Sequence, residues 1–226
     1  MFKVILCLTT VVALVHSHGM LMDPVNRASR WRYDSSAPIN YDDSELWCGG
    51  LTVQHNTYGG KCGICGDTYG NPRPRKHELG GGPFGEGVIV KTYPADSIIT
   101  VTVKVTVNHI GYFWFDLCKM DGKNREEEEC FTKVLTAAGE EKWYVPSRES
   151  KDYEVQLKLP DIECEHCVLR WTYVAGNNWG QCEDGSHALG CGPQEHFRTC
   201  SDISIKGGFM SELVDEIPEQ VEDNSI

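Results

Sequence analysis

Val101, Val103, Val105 and Val107 alternate with Thr100, Thr102, Lys104 and Thr106, the period of two that a single buried face imposes on a β-strand. The pattern predicts a strand over 99–109. His109 continues the valine phase, so it starts from the apolar face at the strand's end. Tyr112-Phe113-Trp114-Phe115 reads as the next strand, buried on both faces. Trp114, Trp171 and Tyr173 are assigned to the core on this pattern. Tyr153, Val155, Leu157 and Leu159 alternate again, Val168 to Val174 forms another apolar strand, and Ile203 with Ile205 marks a last short one. No stretch carries the period of a long amphipathic helix. Short strands with frequent turns predict an all-β fold, an antiparallel β-sandwich.

From His18 to about Phe84 periodicity is lost, and Gly, Pro, Asn, Asp and Tyr dominate. Such a stretch predicts long loops stapled by disulfides, and long ordered loops on a compact domain carry function. Its Trp31, Tyr41, Trp47, Tyr58 and Tyr69 are candidates for a flat binding face, although packing is the commoner use of any one such ring. The run Glu126 to Glu129 reads as a solvated loop face, and residues 208–226 as an acidic, disordered tail.

The chain has 226 residues, 21 of them basic and 33 acidic, for a net charge of −12. That length suits one domain. The charge argues against a nucleic-acid or anionic-membrane partner. Lys3 precedes an apolar run, Val4 to Val15, and Val15-His16-Ser17 has small residues at the −3 and −1 positions. Residues 1–17 therefore read as a secretory signal peptide cleaved after Ser17; the run falls short of the about 20 apolar residues of a membrane span. The expected product is a secreted, extracellular monomer with its domain over 18–207. It keeps Cys48, Cys62, Cys65, Cys118, Cys130, Cys164, Cys167, Cys182, Cys191 and Cys200. An even number in an oxidising compartment reads as up to five disulfides of undetermined pairing.

Cleavage after Ser17 makes His18 the first residue. An N-terminal histidine offers its α-amino nitrogen and imidazole Nδ1 to one metal, and a second imidazole completes three nitrogens, a set that suits Cu(II). His109 is the candidate second imidazole; a satisfied core histidine at a strand end is the alternative reading.

His18-Gly19-Met20-Leu21 after a signal peptide, Asn108-His109 closing a valine-rich strand, and Gly192-Pro193-Gln194-Glu195-His196-Phe197-Arg198-Thr199-Cys200-Ser201-Asp202-Ile203 resemble the lytic polysaccharide monooxygenases. Cys62-Gly63-Ile64-Cys65-Gly66-Asp67 and Trp179-Gly180-Gln181-Cys182-Glu183-Asp184-Gly185 resemble auxiliary activity family 15 within them. The resemblance covers roughly 18–206 and implies an immunoglobulin/fibronectin-like β-sandwich with one copper held by His18 and His109. It also implies Phe197 at the axial position, where a phenyl ring supplies no oxygen ligand, and Glu195 as the carboxylate beside the copper. His187 and His196 read as exposed loop histidines. The implied activity is oxidative cleavage of insoluble β-1,4-linked polysaccharide, chitin favoured and cellulose the alternative, by hydroxylation at C1 or C4. An external electron donor, with H2O2 or O2 as co-substrate, completes the reaction.

Three other readings compete. Cys62-x-x-Cys65 and Cys164-x-x-Cys167 are two CxxC pairs that suit zinc, but they lie far beyond the about 15–20 residues of a zinc ribbon, and the secretory signal favours disulfides. A non-catalytic polysaccharide-binding or copper-carrying protein on the same scaffold accounts for the same aromatics and histidines. For a hydrolytic glycosidase, no acid/base pair is identifiable.

Overall fold

A computed structural model describes residues 18–207; the expected signal peptide and acidic tail lie outside them. The strands are β1 (His18–Asp23), β2 (Lys91–Pro94), β3 (Ile98–Val107), β4 (Tyr112–Lys119), β5 (Thr132–Val134), β6 (Trp143–Tyr144), β7 (Asp152–Lys158), β8 (Cys164–Val174), β9 (Trp179–Gln181), β10 (His187–Leu189) and β11 (His196–Lys206). One sheet runs β1-β3-β7, a larger one β2-β11-β8-β4-β5 with β6 attached to β4, and β9 pairs with β10 as a separate hairpin. No helix of the described residues is long and apolar enough to cross a membrane.

The fold is the all-β sandwich expected, with four departures. β1 is a strand inside the stretch read as loop; its buried Gly19, Met20 and Leu21 lack the alternation that marks a half-exposed strand. β11 spans 11 residues, where only Ile203 and Ile205 were legible. β2 joins β11 in parallel, so the larger sheet is mixed rather than antiparallel. Trp114 is half-buried rather than core, with its indole Nε1 donating to Asp116 at 3.1 Å.

Val101, Val103, Val105, Val155 and Leu157 from the small sheet meet Phe113, Phe115, Leu169, Trp171, Tyr173 and Phe197 from the large one. Successive side chains alternate faces, so Arg170, Arg198, Cys200 and Asp202 point the other way. Loops before β2 cover that outer face, where Ile64, Cys65, Cys118, Met120, Val168 and Cys200 form a second apolar cluster. Polar groups there survive burial because they are paired. Arg27 donates to Asp202 through Nε and Nη2, both at 2.7 Å, and to Glu126 at 2.7 Å. Glu126 is 0% exposed, which corrects its reading as a solvated residue. Leu79 N–H also donates to it, so this loop carboxylate ties the covering loops to the sheet.

The ten cysteines form five disulfides: Cys48–Cys62, Cys65–Cys200, Cys118–Cys130, Cys164–Cys167 and Cys182–Cys191. Members of the first Cys-x-x-Cys pair go to different partners and those of the second bond each other, which removes the zinc reading. Cys65–Cys200 closes 135 residues and pins the loop region to β11. Replacing both with Ser is expected to cost about 3–5 kcal/mol in denaturant unfolding, because the unfolded chain gains loop entropy that scales with span. The pair Cys164–Cys167 spans only 3 residues, and its removal is expected to cost far less on the same scale.

Two groups, the half-buried His196 and the buried Asp202, are expected to make the fold acid-labile. Burial pulls the His196 imidazole down from 6.5 to about 3, helped by nearby Arg198 and His55. Folding therefore keeps it neutral, while the unfolded chain takes a proton below about 6.5. Burial opposes ionisation of Asp202, but Arg27 and then His166 hold its carboxyl below the usual value. That contribution is present above about 3.9 and lost as pH falls through the depressed pKa. Stability of the copper-free protein is expected to fall from pH 6.5 towards 4. His196→Gln should flatten that slope; an unchanged slope in thermal unfolding would argue against the assignment.

Candidate metal centre

Strand pairing brings the two histidines to one end of the sandwich. His18, first residue of β1, lies opposite Val107 of β3, and Gly19 lies opposite Val105. His109 follows Val107 by two residues. Gly19 is packed between the core and β3: a Cβ there would stand 3.1 Å from the Trp171 ring and 3.2 Å from the Lys104 carbonyl. Glycine thus lets β1 lie close against the sheet. Gly19 N–H also donates to the Ser44 carbonyl at 3.3 Å.

His109 sits on the turn between β3 and β4, and that turn is fixed from several sides. Its N–H donates to the Tyr173 hydroxyl at 3.1 Å, and its carbonyl accepts from Gly176 N–H at 3.1 Å. Asn108 Oδ1 accepts from Ile110 N–H at 2.7 Å, while its Nδ2 donates to the carbonyls of Ser147 and Glu149. Ile110 and Gly111 both have positive φ, 59° and 86°. At Gly111 a Cβ would meet the Val174 carbonyl at 2.0 Å, so only glycine completes this turn.

Phe197 forms the apolar wall. It is fully buried, edge-on to the His18 ring at 6.2 Å and 6.0 Å from Tyr173. Tyr173, its register partner on β8, thus supports both the wall and the His109 backbone. Glu195, 5% exposed, immediately precedes β11, and its carbonyl accepts from Ala175 N–H. His18 Nε2 lies 3.6 Å from Glu45 Oε1; the ring nitrogen able to close a chelate with the same residue's amine is Nδ1. Two imidazoles at one end of a sandwich, backed by an aromatic ring, offer nitrogen donors of the kind that suit copper.

Glu195 immediately precedes β11 and Phe197 is its second residue, on the strand beside β8, whose Tyr173 supports His109. His187 is exposed as expected but sits on strand β10 rather than a loop, and His196 is neither exposed nor in a loop. It lies on β11 with Nδ1 2.9 Å from Gln54 Nε2 and its ring 5.8 Å from Trp114. Among the described residues, one other group brings three potential ligands together, Cys65, Glu126 and Cys200. Its cysteines are joined to each other, so it offers no thiolate.

The candidate aromatics divide. Tyr41 is 80% exposed and rests edge-on against Trp31, whereas Trp47 packs against the main core. Tyr58 and Tyr69 lean on one another at 5.6 Å. Sequence reasoning missed Trp179, 70% exposed on the β9–β10 hairpin opposite Leu189. Its glycine- and asparagine-rich flanks, Gly176-Asn177-Asn178 and Gly180, were the available signal. This hairpin follows β8 directly, and Gly176 at its base bonds His109.

A family model described as lytic polysaccharide mono-oxygenase, cellulose-degrading, matches residues 18–203. An auxiliary activity family 15 lytic polysaccharide monooxygenase from Thermobia domestica, solved in the Cu(I) state, is 42% identical. That likeness covers 83% of this chain and 98% of the other, with a TM-score of 0.80. An auxiliary activity family 10 lytic polysaccharide monooxygenase from Streptomyces lividans shares the fold at 13% identity and a TM-score of 0.51, over 83% of this chain and 99% of the other. Among curated protein sequences no significant match is found. The extent of the family match and the closeness of the Thermobia structure show that this chain belongs to the lytic polysaccharide monooxygenases, copper-dependent oxidoreductases that cleave polysaccharides oxidatively.

Proposed function

We propose that cleavage after Ser17 frees the His18 amine, and that this amine, His18 Nδ1 and a ring nitrogen of His109 hold the copper of a secreted enzyme. The observation that carries this reading is the register of β1 against β3, His18 opposite Val107. The start of the family match at residue 18 supports it. Copper, when bound, supplies the one-electron chemistry needed to activate oxygen towards a C–H bond.

The chain's own residues then have distinct tasks. Tyr173 and Gly176 hold the His109 backbone, which fixes the point from which its imidazole projects. Phe197 would set an apolar ring beside the His18 imidazole and offer no oxygen to a bound metal. Glu195 orients the oxygen co-substrate, H2O2 or O2, by hydrogen bonding, while an external donor supplies electrons. Hydroxylation at C1 or C4 of the sugar is followed by elimination, which breaks the chain.

The substrate is an insoluble β-1,4-linked polysaccharide, and exposed rings such as Tyr41 and Trp179 suit the flat face of its sugars. Chitin is the proposed substrate, from the likeness to family 15; the description of the family model favours cellulose as the second reading.

His18→Ala and His109→Ala are each expected to weaken copper binding by more than about 100-fold in calorimetry, with the disulfide-held fold intact by circular dichroism. Unchanged affinity in either variant would refute the donor set. Incubated with reductant and either chitin or cellulose, the copper-loaded enzyme is expected to release aldonic-acid or 4-keto oligosaccharides, preferentially from chitin. Mass spectrometry of soluble sugars reads substrate and position together, and oxidised products from cellulose alone would reverse the substrate assignment.

A further inference from the structure

A second concavity lies on the outer face of the large sheet, away from the apolar core. It measures about 450 Å³ and is lined by Lys61, Tyr69, Arg73, Arg75, Arg198 and Glu128, among others. The lining carries four cations, Lys61, Arg73, Arg75 and Arg198, and three carboxylates, Glu127, Glu128 and Glu129, and the cations are not equivalent.

Arg73 and Arg75 are committed. Arg73 donates to Glu78 at 3.0 Å, Glu127 at 2.5 Å and the Glu126 carbonyl at 2.8 Å. Arg75 donates to Glu78 and to the carbonyls of Thr68 and Tyr69. Glu127 is further held by Arg125 at 2.7 Å, so these acids are already balanced.

Arg198 differs. It is only 8% exposed, yet its hydrogen bonds go to the Thr172 hydroxyl at 3.2 Å and, at 3.5 Å, to the Gly63 carbonyl. Its ion-pair partner is Glu128 at 3.7 Å, a carboxylate that bonds Arg170 instead at 2.8 Å. Burial, and then the adjacent Arg170 charge, pull the Arg198 guanidinium down to about 10, as befits a buried cation short of counter-charge. Lys61 is exposed; its ammonium lies 5.3 Å from the Tyr69 ring and enters no ion pair among the described residues.

A planar guanidinium with donors in a fixed fork matches the two oxygens of a carboxylate or phosphate, most strongly where water is excluded. We propose that this cavity binds one small oxyanion, a carboxylate or a phosphate, with Arg198 as its buried anchor and Lys61 as the second cation. Glu128 is the internal competitor: it occupies the same positive field without hydrogen-bonding Arg198. The site is independent of the copper reading, since none of its residues belongs to the proposed donor set.

Equilibrium dialysis of the copper-loaded protein tests it, with inorganic phosphate in one arm and benzoate in the other. Saturable binding of either anion, one per chain, is expected. Lys61→Ala should weaken it about three- to tenfold and Glu128→Gln should tighten it about tenfold, while Arg198→Gln should abolish it. Lys61 and Glu128 have exposed side chains, so their variants decide the matter even if Arg198→Gln does not fold. An arm that alone binds identifies the ligand class. No saturable binding in either arm, or binding indifferent to both Lys61→Ala and Glu128→Gln, would overturn the proposal.

Discussion

Everything at the proposed copper end depends on the antiparallel pairing of β1 with β3. The register places His18 across from Val107, and a slip of one residue would turn every β1 side chain to the other face. Two features hold it. Leu21, fully buried, anchors the strand in the main core. Gly19 permits the close approach to Trp171 and β3 that a larger residue would obstruct. A strand that begins a domain would ordinarily fray; here burial of Gly19, Met20 and Leu21 ties it down.

The second support is the large sheet's burial on both faces. Its inner face packs against the valines of β3, while loops pinned by Cys65–Cys200 and by the Arg27–Asp202–Glu126 network cover the outer one. Pairing a charge inside such a layer restores the solvation lost on burial, and a missing partner leaves a large penalty. β11 shows both consequences: Phe197 and Ile203 point into the apolar core, while Arg198 and Asp202 lie in the ionic layer. One strand thereby borders the proposed metal centre on one side and the proposed anion cavity on the other.

This double burial also explains what was legible from sequence. The valines of β3 and the alternation in β7 stood out because one face of each meets water. His196 to Asp202 did not read as a strand, because nearly all of its residues are buried and polar residues occupy both sets of alternating positions. β1 was hidden for a related reason, with three successive buried residues and a glycine. His18, His109 and Phe197 stand out as candidates through motif and chemistry, His109 also through continuing the valine phase of β3. Glu126 was misread because a run of four glutamates resembles a solvated face, and only the three-dimensional position of Arg27 reveals its partner. Trp179 was not legible because its strand is only three residues long, too short for alternation to mark an exposed ring.

In the proposed site the backbone amine of residue 18 is itself a copper ligand. Electron–nuclear double resonance on the secreted, Cu(II)-loaded protein, with the His18 backbone nitrogen enriched in 15N, addresses it directly. The predicted result is a strong 15N coupling of a directly bonded amine alongside two imidazole nitrogens. A weak, remote 15N coupling, with copper held by side chains alone, would contradict it.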